Sequence, residues 1–211
     1  NGRRQKSSRR KIVLKIIVIA FIAFISVGCT VASPHISEFR INPIVEKSEI
    51  LALKCNAKSI KVAKAFSSNS LMSQNMNYGV GDYKRGLFTQ SQWASSPNRE
   101  ITSQIVKTLQ DSKLFESVQV SNSRSVSSLI LETNIEEFMQ YFSKDKKSSL
   151  AKVVISNTLI DANTNVPLHT KTFTQIVKAD TLDAEGGVVA LNKALSLVLT
   201  SQRDWLGEIC K

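Results

Sequence analysis

The chain has 211 residues, 42% of them hydrophobic and 21% charged, with a formal net charge of +11. Residues 1–28 hold seven Lys/Arg and no acid, so from Cys29 onward 21 bases face 17 acids for a net +4. That balance describes an ordinary solvated surface and excludes a basic nucleic-acid-binding face, and no Arg-rich helix or cluster of stacking aromatics restores one.

The first eleven residues, NGRRQKSSRRK, carry Arg3, Arg4, Lys6, Arg9, Arg10 and Lys11, the pattern of a signal-peptide n-region. The apolar stretch Ile16–Val27 follows Lys15 and is shorter than the ~20 residues a helix needs to cross a bilayer. It ends at Ser26-Val27-Gly28-Cys29. Small side chains let a peptidase approach the backbone, and the thiol is the atom a diacylglyceryl transferase acylates. Residues 1–28 are therefore expected to be a lipoprotein signal peptide, cut between Gly28 and Cys29, with Cys29 lipidated. The alternative is an uncleaved signal anchor. Ser8-Arg9-Arg10-Lys11-Ile12 matches a twin-arginine signal only in part, so Sec export is the expectation. Residues 29–35 read as a tether with a reach of about 20 Å, and residues 36–211 as one α+β domain. Cys55 and Cys210 either form a disulfide in an oxidising compartment or remain separate buried thiols, because sequence does not set their distance.

Within that domain Ile36–Ile41 reads as a strand, and Ser48–Cys55 as a second with Leu51, Leu53 and Cys55 on one face. Lys58–Phe66 fits strand alternation or a helical turn. Ser67–Pro97 is the least regular part. Gly79, Gly81 and Gly86 punctuate two extended pieces, Leu71–Met76 and Tyr83 with Leu87-Phe88. Its spacing does not make a phosphate loop. Trp93 either packs inward or meets a partner. Ser96-Pro97 opens a helix, with Ser96 as N-cap and Pro97 at the first helical position. Its apolar stripe is Ile101, Ile105, Val106 and Leu109, ending near Gln110. Ser117–Val120 is a short strand and Ser121–Ser128 a polar loop. Three long strands follow, Leu129–Phe142, Leu150–Asp161 and Val166–Val177. They are joined by the exposed Lys144–Ser149 and by the Asp/Asn-rich 161–165 hairpin loop. A last helix runs from Asp183 or Gly187 to Gly207. The order predicts an α+β sandwich, a mixed or antiparallel sheet of about five to six strands with two helices on one face.

No catalytic constellation emerges. His35 and His169 lack metal-ligand spacing with Cys55, Cys210 or a carboxylate pair, and a G-x-S-x-G elbow is absent. Glu136-Glu137 fits a solvated strand face, and Asp180 with Asp183 a helix-start signal. Enzyme activity, a metal and a cofactor are not expected, apart from covalent lipid on Cys29.

The stretch Tyr83-Lys84-Arg85-Gly86-Leu87-Phe88-Thr89-Gln90-Ser91-Gln92-Trp93-Ala94 precedes Pro97 and the Ile101–Leu109 helix. Leu159-Ile160-Asp161-Ala162, Phe173, Gly187–Leu195 and Trp205 follow in order. Over most of residues 50–206, together with the signal and Cys29, this resembles the ABC-type transport auxiliary lipoproteins, the PqiC-like family. The resemblance implies a non-catalytic envelope lipoprotein, an auxiliary or docking component of an Mce-type ABC transporter for lipid. Its implied partners are an Mce-domain protein, a permease and an ATPase, with the membrane held through the anchor and a homo-oligomer such as a ring. The alternative is an assembly lipoprotein of similar fold, a cell-wall synthase activator or secretion-apparatus subunit. Thr30 after Cys29 favours the outer over the inner membrane. Tyr83, Lys84, Arg85 and Trp93 are the expected partner or oligomer contacts.

Overall fold

The computed structural model describes residues 35–46, 55 and 57–209. The expected signal peptide, Cys29, Cys210 and most of the expected Ser48–Cys55 strand lie outside the described residues. The chain divides into two units, Asn1–His35 and Ile36–Lys211, and the second is the α+β domain.

Its organising element is a 14-residue strand, β7 (Leu129–Phe142). Leu129, Leu131, Thr133 and Ile135 are buried, while Glu132, Asn134 and Glu136 between them are exposed, the period-2 pattern of a sheet covered on one side. One edge of β7 pairs antiparallel with β8 (Ser149–Asp161), which pairs antiparallel with β9 (Pro167–Lys178). A bulge between Ile135 and Glu137 shifts the phase. Beyond it Phe138 and Gln140 are the buried residues, and Glu137, Met139 and Tyr141 turn to the open face.

The other edge of β7 exceeds the length of any one short strand, and three share it, all parallel to it. Residues 129–131 pair with β2 (Ser59–Val62), 134–135 with β3 (Phe66–Ser67) and 140–142 with β4 (Asn75–Val80). Outside β2 lies β6 (Ser117–Val120). Outside β4 lie β5 (Lys84–Trp93) and then β1 (Ser37–Phe39). The sheet has nine strands, more than the five to six expected, because these short flanking strands each count once.

Two helices close the covered face. Helix α1 (Pro97–Ser112) follows Ser96 as foreseen, but the Ser96 hydroxyl makes no cap; its carbonyl accepts from the N–H groups of Arg99 and Glu100 at 3.1 Å. Ile101, Ile105 and Leu109 are wholly buried, at about 1.5–3 kcal/mol for each such side chain. The Thr102 hydroxyl donates to the Asn98 carbonyl (2.6 Å) and accepts from the Ala65 N–H (3.0 Å), tying α1 to the β2–β3 link. Helix α2 (Ala184–Ile209) packs on β8 and β9 alike, and Trp205 meets Phe173 edge-on at 5.8 Å. Asp183 accepts from the Gly186 N–H (2.8 Å) and the Thr181 hydroxyl (2.7 Å), fixing the start of α2 as its N-cap. Gly187 lies so close to the sheet that a Cβ there would meet Gln140 Oε1 at 2.1 Å.

Segment 36–46 lies against both helices. Ile41 is buried and its carbonyl accepts from Gln104 on α1 (3.3 Å), while Asn192 on α2 accepts from the Asn42 N–H (2.6 Å). Arg203, almost fully buried, donates to the Glu46 carbonyl (2.6 Å) and pairs with Asp204 (2.8 Å).

Candidate interaction surface

The stretch Tyr83–Trp93 is a strand for most of its length, and this separates residues that the sequence grouped. Asn77, Tyr78, Gly79 and Val80 face Leu87, Gly86, Arg85 and Lys84 across the β4–β5 pair. The intervening turn passes through Gly81 at φ +58, where a side chain would be strained. Lys84 and Trp93 are nine strand steps apart, about 30 Å. They do not share one patch.

Trp93 corrects the expectation of a contact residue. It is 3% exposed and packs on Phe138 at 5.6 Å, and its N–H donates to the Gln74 carbonyl at 2.7 Å. The expected extended piece Leu71–Met76 is likewise revised: Asn69–Leu71 is a 3-10 turn, Leu71 is buried, and the strand begins at Asn75.

Tyr83 stands at the opposite extreme, 94% exposed on the β4–β5 turn, with Lys84 exposed beside it. This turn meets the 144–148 loop. The Gly81 N–H donates to the Phe142 carbonyl (3.0 Å) and Lys144 pairs with Asp82 (3.5 Å). Lys146 and Lys147 are exposed on the same loop. Asp145, held by the Ser143 hydroxyl and the Lys147 N–H, keeps its carboxyl below the usual range.

Arg85 has a structural task. On the open sheet face it donates to the Tyr141 hydroxyl (2.8 Å) with its guanidinium 5.1 Å from that ring. Tyr141 donates to Glu137 (2.9 Å), which pairs with Lys152 (3.3 Å). Burial raises the Tyr141 phenol above its ordinary pKa; the Arg85 hydrogen bond opposes this and Glu137 adds to it. The phenol therefore stays a neutral donor linking three charged groups. Sequence reasoning missed this network because its members are brought together by the β4–β5, β4–β7 and β7–β8 pairings.

On the opposite face, beyond the start of α2, Tyr78, Phe88 and Phe142 form an aromatic trio with centroids 4.8–6.4 Å apart. With Leu87, Lys146 and Leu182 they line a hollow of about 330 Å3. Leu87 and Leu182 are roughly half exposed, at 46% and 49%. A Cβ at position 86 would meet the Tyr78 ring at 2.3 Å, so any larger residue there would push that ring from its place in the trio.

Little here resembles a reaction centre. Among the described residues no three His, Cys, Asp or Glu side chains cluster to hold a metal ion, and His35 and His169 are both exposed on separate segments. Asp183 and Asp161 are depressed in pKa by local backbone N–H donors, those of Gly186 and of Thr164 and Asn163, as capping and turn residues are. Cys55 is buried and disulfide-bonded. Among the described residues no helix is long and apolar enough to cross a membrane.

A family model described as an ABC-type transport auxiliary lipoprotein component matches residues 53–201. No curated protein matches the chain significantly. Among solved structures, a Xanthomonas campestris protein of the DUF330 family superposes with a TM-score of 0.72 at 16% identity, covering 81% of this chain and 94% of its own. An uncharacterised protein gives 0.62 at 13% identity, over 82% and 99%. A PelC dodecamer from Paraburkholderia phytofirmans gives 0.45 at 12% identity, over 70% and 87%. At these identities the likeness of the first two establishes a shared fold.

Proposed function

The chain belongs to the family of ABC-type transport auxiliary lipoprotein components, and we propose that it serves, without catalysis of its own, as a docking component of an Mce-type ABC transporter that moves lipid across the cell envelope. The observation that carries this reading is the family match over residues 53–201. The surface supports it, since its accessible features are two adjoining hairpin tips and an aromatic hollow rather than convergent acid–base groups. Tyr83, Lys84, Lys146 and the Leu87–Leu182 hollow form the contact surface for the transporter.

In this proposal Cys29, exposed by cleavage after Gly28, carries N-acyl and S-diacylglycerol chains. The domain then sits on the periplasmic side of the envelope, at the outer membrane. Cys55 pairs with Cys210, closing the domain from β2 to the end of α2. The partners are an Mce-domain protein, a permease and an ATPase.

The test is isolation of the tagged full-length protein from its own membranes after brief cross-linking, followed by mass spectrometry. Recovery of the Mce-domain protein and permease is the expected result. Recovery of a cell-wall synthase or a secretion subunit in their place would overturn the transporter assignment.

A further inference from the structure

Among the described residues strand β9 is paired on one side only, with β8 as its single strand partner, although it is 12 residues long. From Pro167 to Thr172 every residue is exposed, on both faces. Only the β8 ladder and the side-chain bonds Thr158–Thr170 (3.2 Å) and Ser156–Thr172 (2.6 Å) accompany this half. An unpaired edge of this length is normally shielded by lysine, proline, inward charge or a bulge, and β9 carries Lys171 and Lys178. Here the proline is only at the first position, and the bulge between Leu159 and Ile160 lies at the same end. Lys171 lies over the Phe173 ring at 5.5 Å.

The direction of each backbone group along β9 follows from one bond. The Ala179 N–H donates to the Ser149 carbonyl at 3.0 Å, which extends the register Lys178↔Leu150 by one residue. Hydrogen-bonded pairs alternate in an antiparallel ladder, so Val177, Gln175, Phe173 and Lys171 direct their N–H and C=O groups to β8. Those of Thr170, Thr172, Thr174, Ile176 and Lys178 point outward, a row of free donors and acceptors.

We propose that this edge pairs antiparallel with β9 of a second copy of the chain about a two-fold axis at Phe173. Only even-numbered residues point outward, so a symmetric pairing must place even residues opposite even residues. Centred on Phe173, Thr172 faces Thr174 and Thr170 faces Ile176, making about eight backbone hydrogen bonds at two per bonded pair. In the same register Lys171 opposes Gln175 and Lys178 opposes Leu168, so no like charges meet. Centring two residues earlier would set Lys171 against itself. The other free edges among the described residues are shorter: β1 has three residues, β6 four, and β1 leaves residues 84–90 of β5 uncovered. Self-pairing therefore uses the longest free edge among the described residues. Helix α2 packs evenly on β8 and β9 and leaves the outer edge clear.

The test uses full-length, lipidated protein in detergent. Light scattering is expected to give two chains per particle or a multiple of two. Thr172→Pro removes an outward N–H that β8 does not use and is expected to halve the particle mass with circular dichroism unchanged. Should that variant misfold, the T172K/T174K pair, which opposes lysines across the axis, is expected to do the same. In mixtures of separately tagged T172C and T174C chains, disulfide dimers form between the two types and are absent from T172C alone. A wild-type single chain, an unchanged mass in folded variants, or self-linked T172C would each overturn the pairing.

Discussion

Replacing Trp93 by Ala distinguishes an aromatic that holds the fold from one that greets a partner. The ring is 3% exposed, packed on Phe138, at the strand end where β5 meets β1 through the Phe39↔Trp93 register. Truncating a buried Trp costs about 3–5 kcal/mol through lost transfer energy and the cavity left behind. In a domain of this size each kcal/mol shifts the melting temperature by about 2–4 °C, so a loss of roughly 10 °C is expected. Thermal melts by circular dichroism and by fluorescence measure it, because Trp205 remains as a reporter. Tyr83→Ala is the matched control: at 94% exposed its removal should leave stability within about 0.5 kcal/mol. A Trp93→Ala protein as stable as wild type but unable to bind the transporter would refute the packing argument and restore Trp93 to the contact surface.

Asp183→Ala removes the α2 cap and is expected to cost about 1 kcal/mol in urea unfolding at neutral pH. The folded Asp183 pKa is depressed, so its contribution is present above the unfolded value near 4 and fades as pH falls through the folded one. The gap between wild type and variant should therefore narrow below pH 4; a constant gap counts against the cap. Gly187→Ala forces a Cβ onto the buried Gln140 side chain and should destabilise by about 1–3 kcal/mol, read from the denaturation midpoint; an unchanged midpoint would show that α2 stands off further. If Cys55 pairs with Cys210, Cys210→Ser frees one extra thiol on denaturation without reductant. It should also lower stability by about 3–5 kcal/mol for so long a closed loop; a thiol count that falls by one, or does not rise, rules that pairing out.

Where a segment's partners lie close in sequence, the sequence foretold the structure well. The β7–β8–β9 meander followed from alternation and from the polar 144–149 and 161–165 connections, and α1 from Ser96-Pro97 with its stripe. The short strands were less legible, because two to six residues carry too little periodicity and their partners are remote. Thus Phe66–Ser67, a two-residue strand on the middle of β7, had no signal of its own. The bulge at Ile135 and Glu137 hides in a sequence that simply continues to look amphipathic. Trp93 was ambiguous for a related reason: nothing near it in sequence announces Phe138, 45 positions on. Arg85 was expected to meet a partner, and only the pairings of β4 with β5 and β7 set Tyr141 beneath it.

The way β7 gathers its neighbours also bears on how the molecule is made. Among the described residues strand β2 pairs with β6 and β7, β3 with β7, and β4 with β5 and β7. The chain is made amino end first, so the early strands exist before their template does. The β4–β5 hairpin, with β1 beside it, and the β2–β6 pair do not need β7, but their joining into one sheet must wait for it. Assembly thus runs back to front, the last-made half building the platform and the first-made half docking on it. A protein with this wiring keeps its amino-terminal strands without their sheet partner longest while the chain is being made.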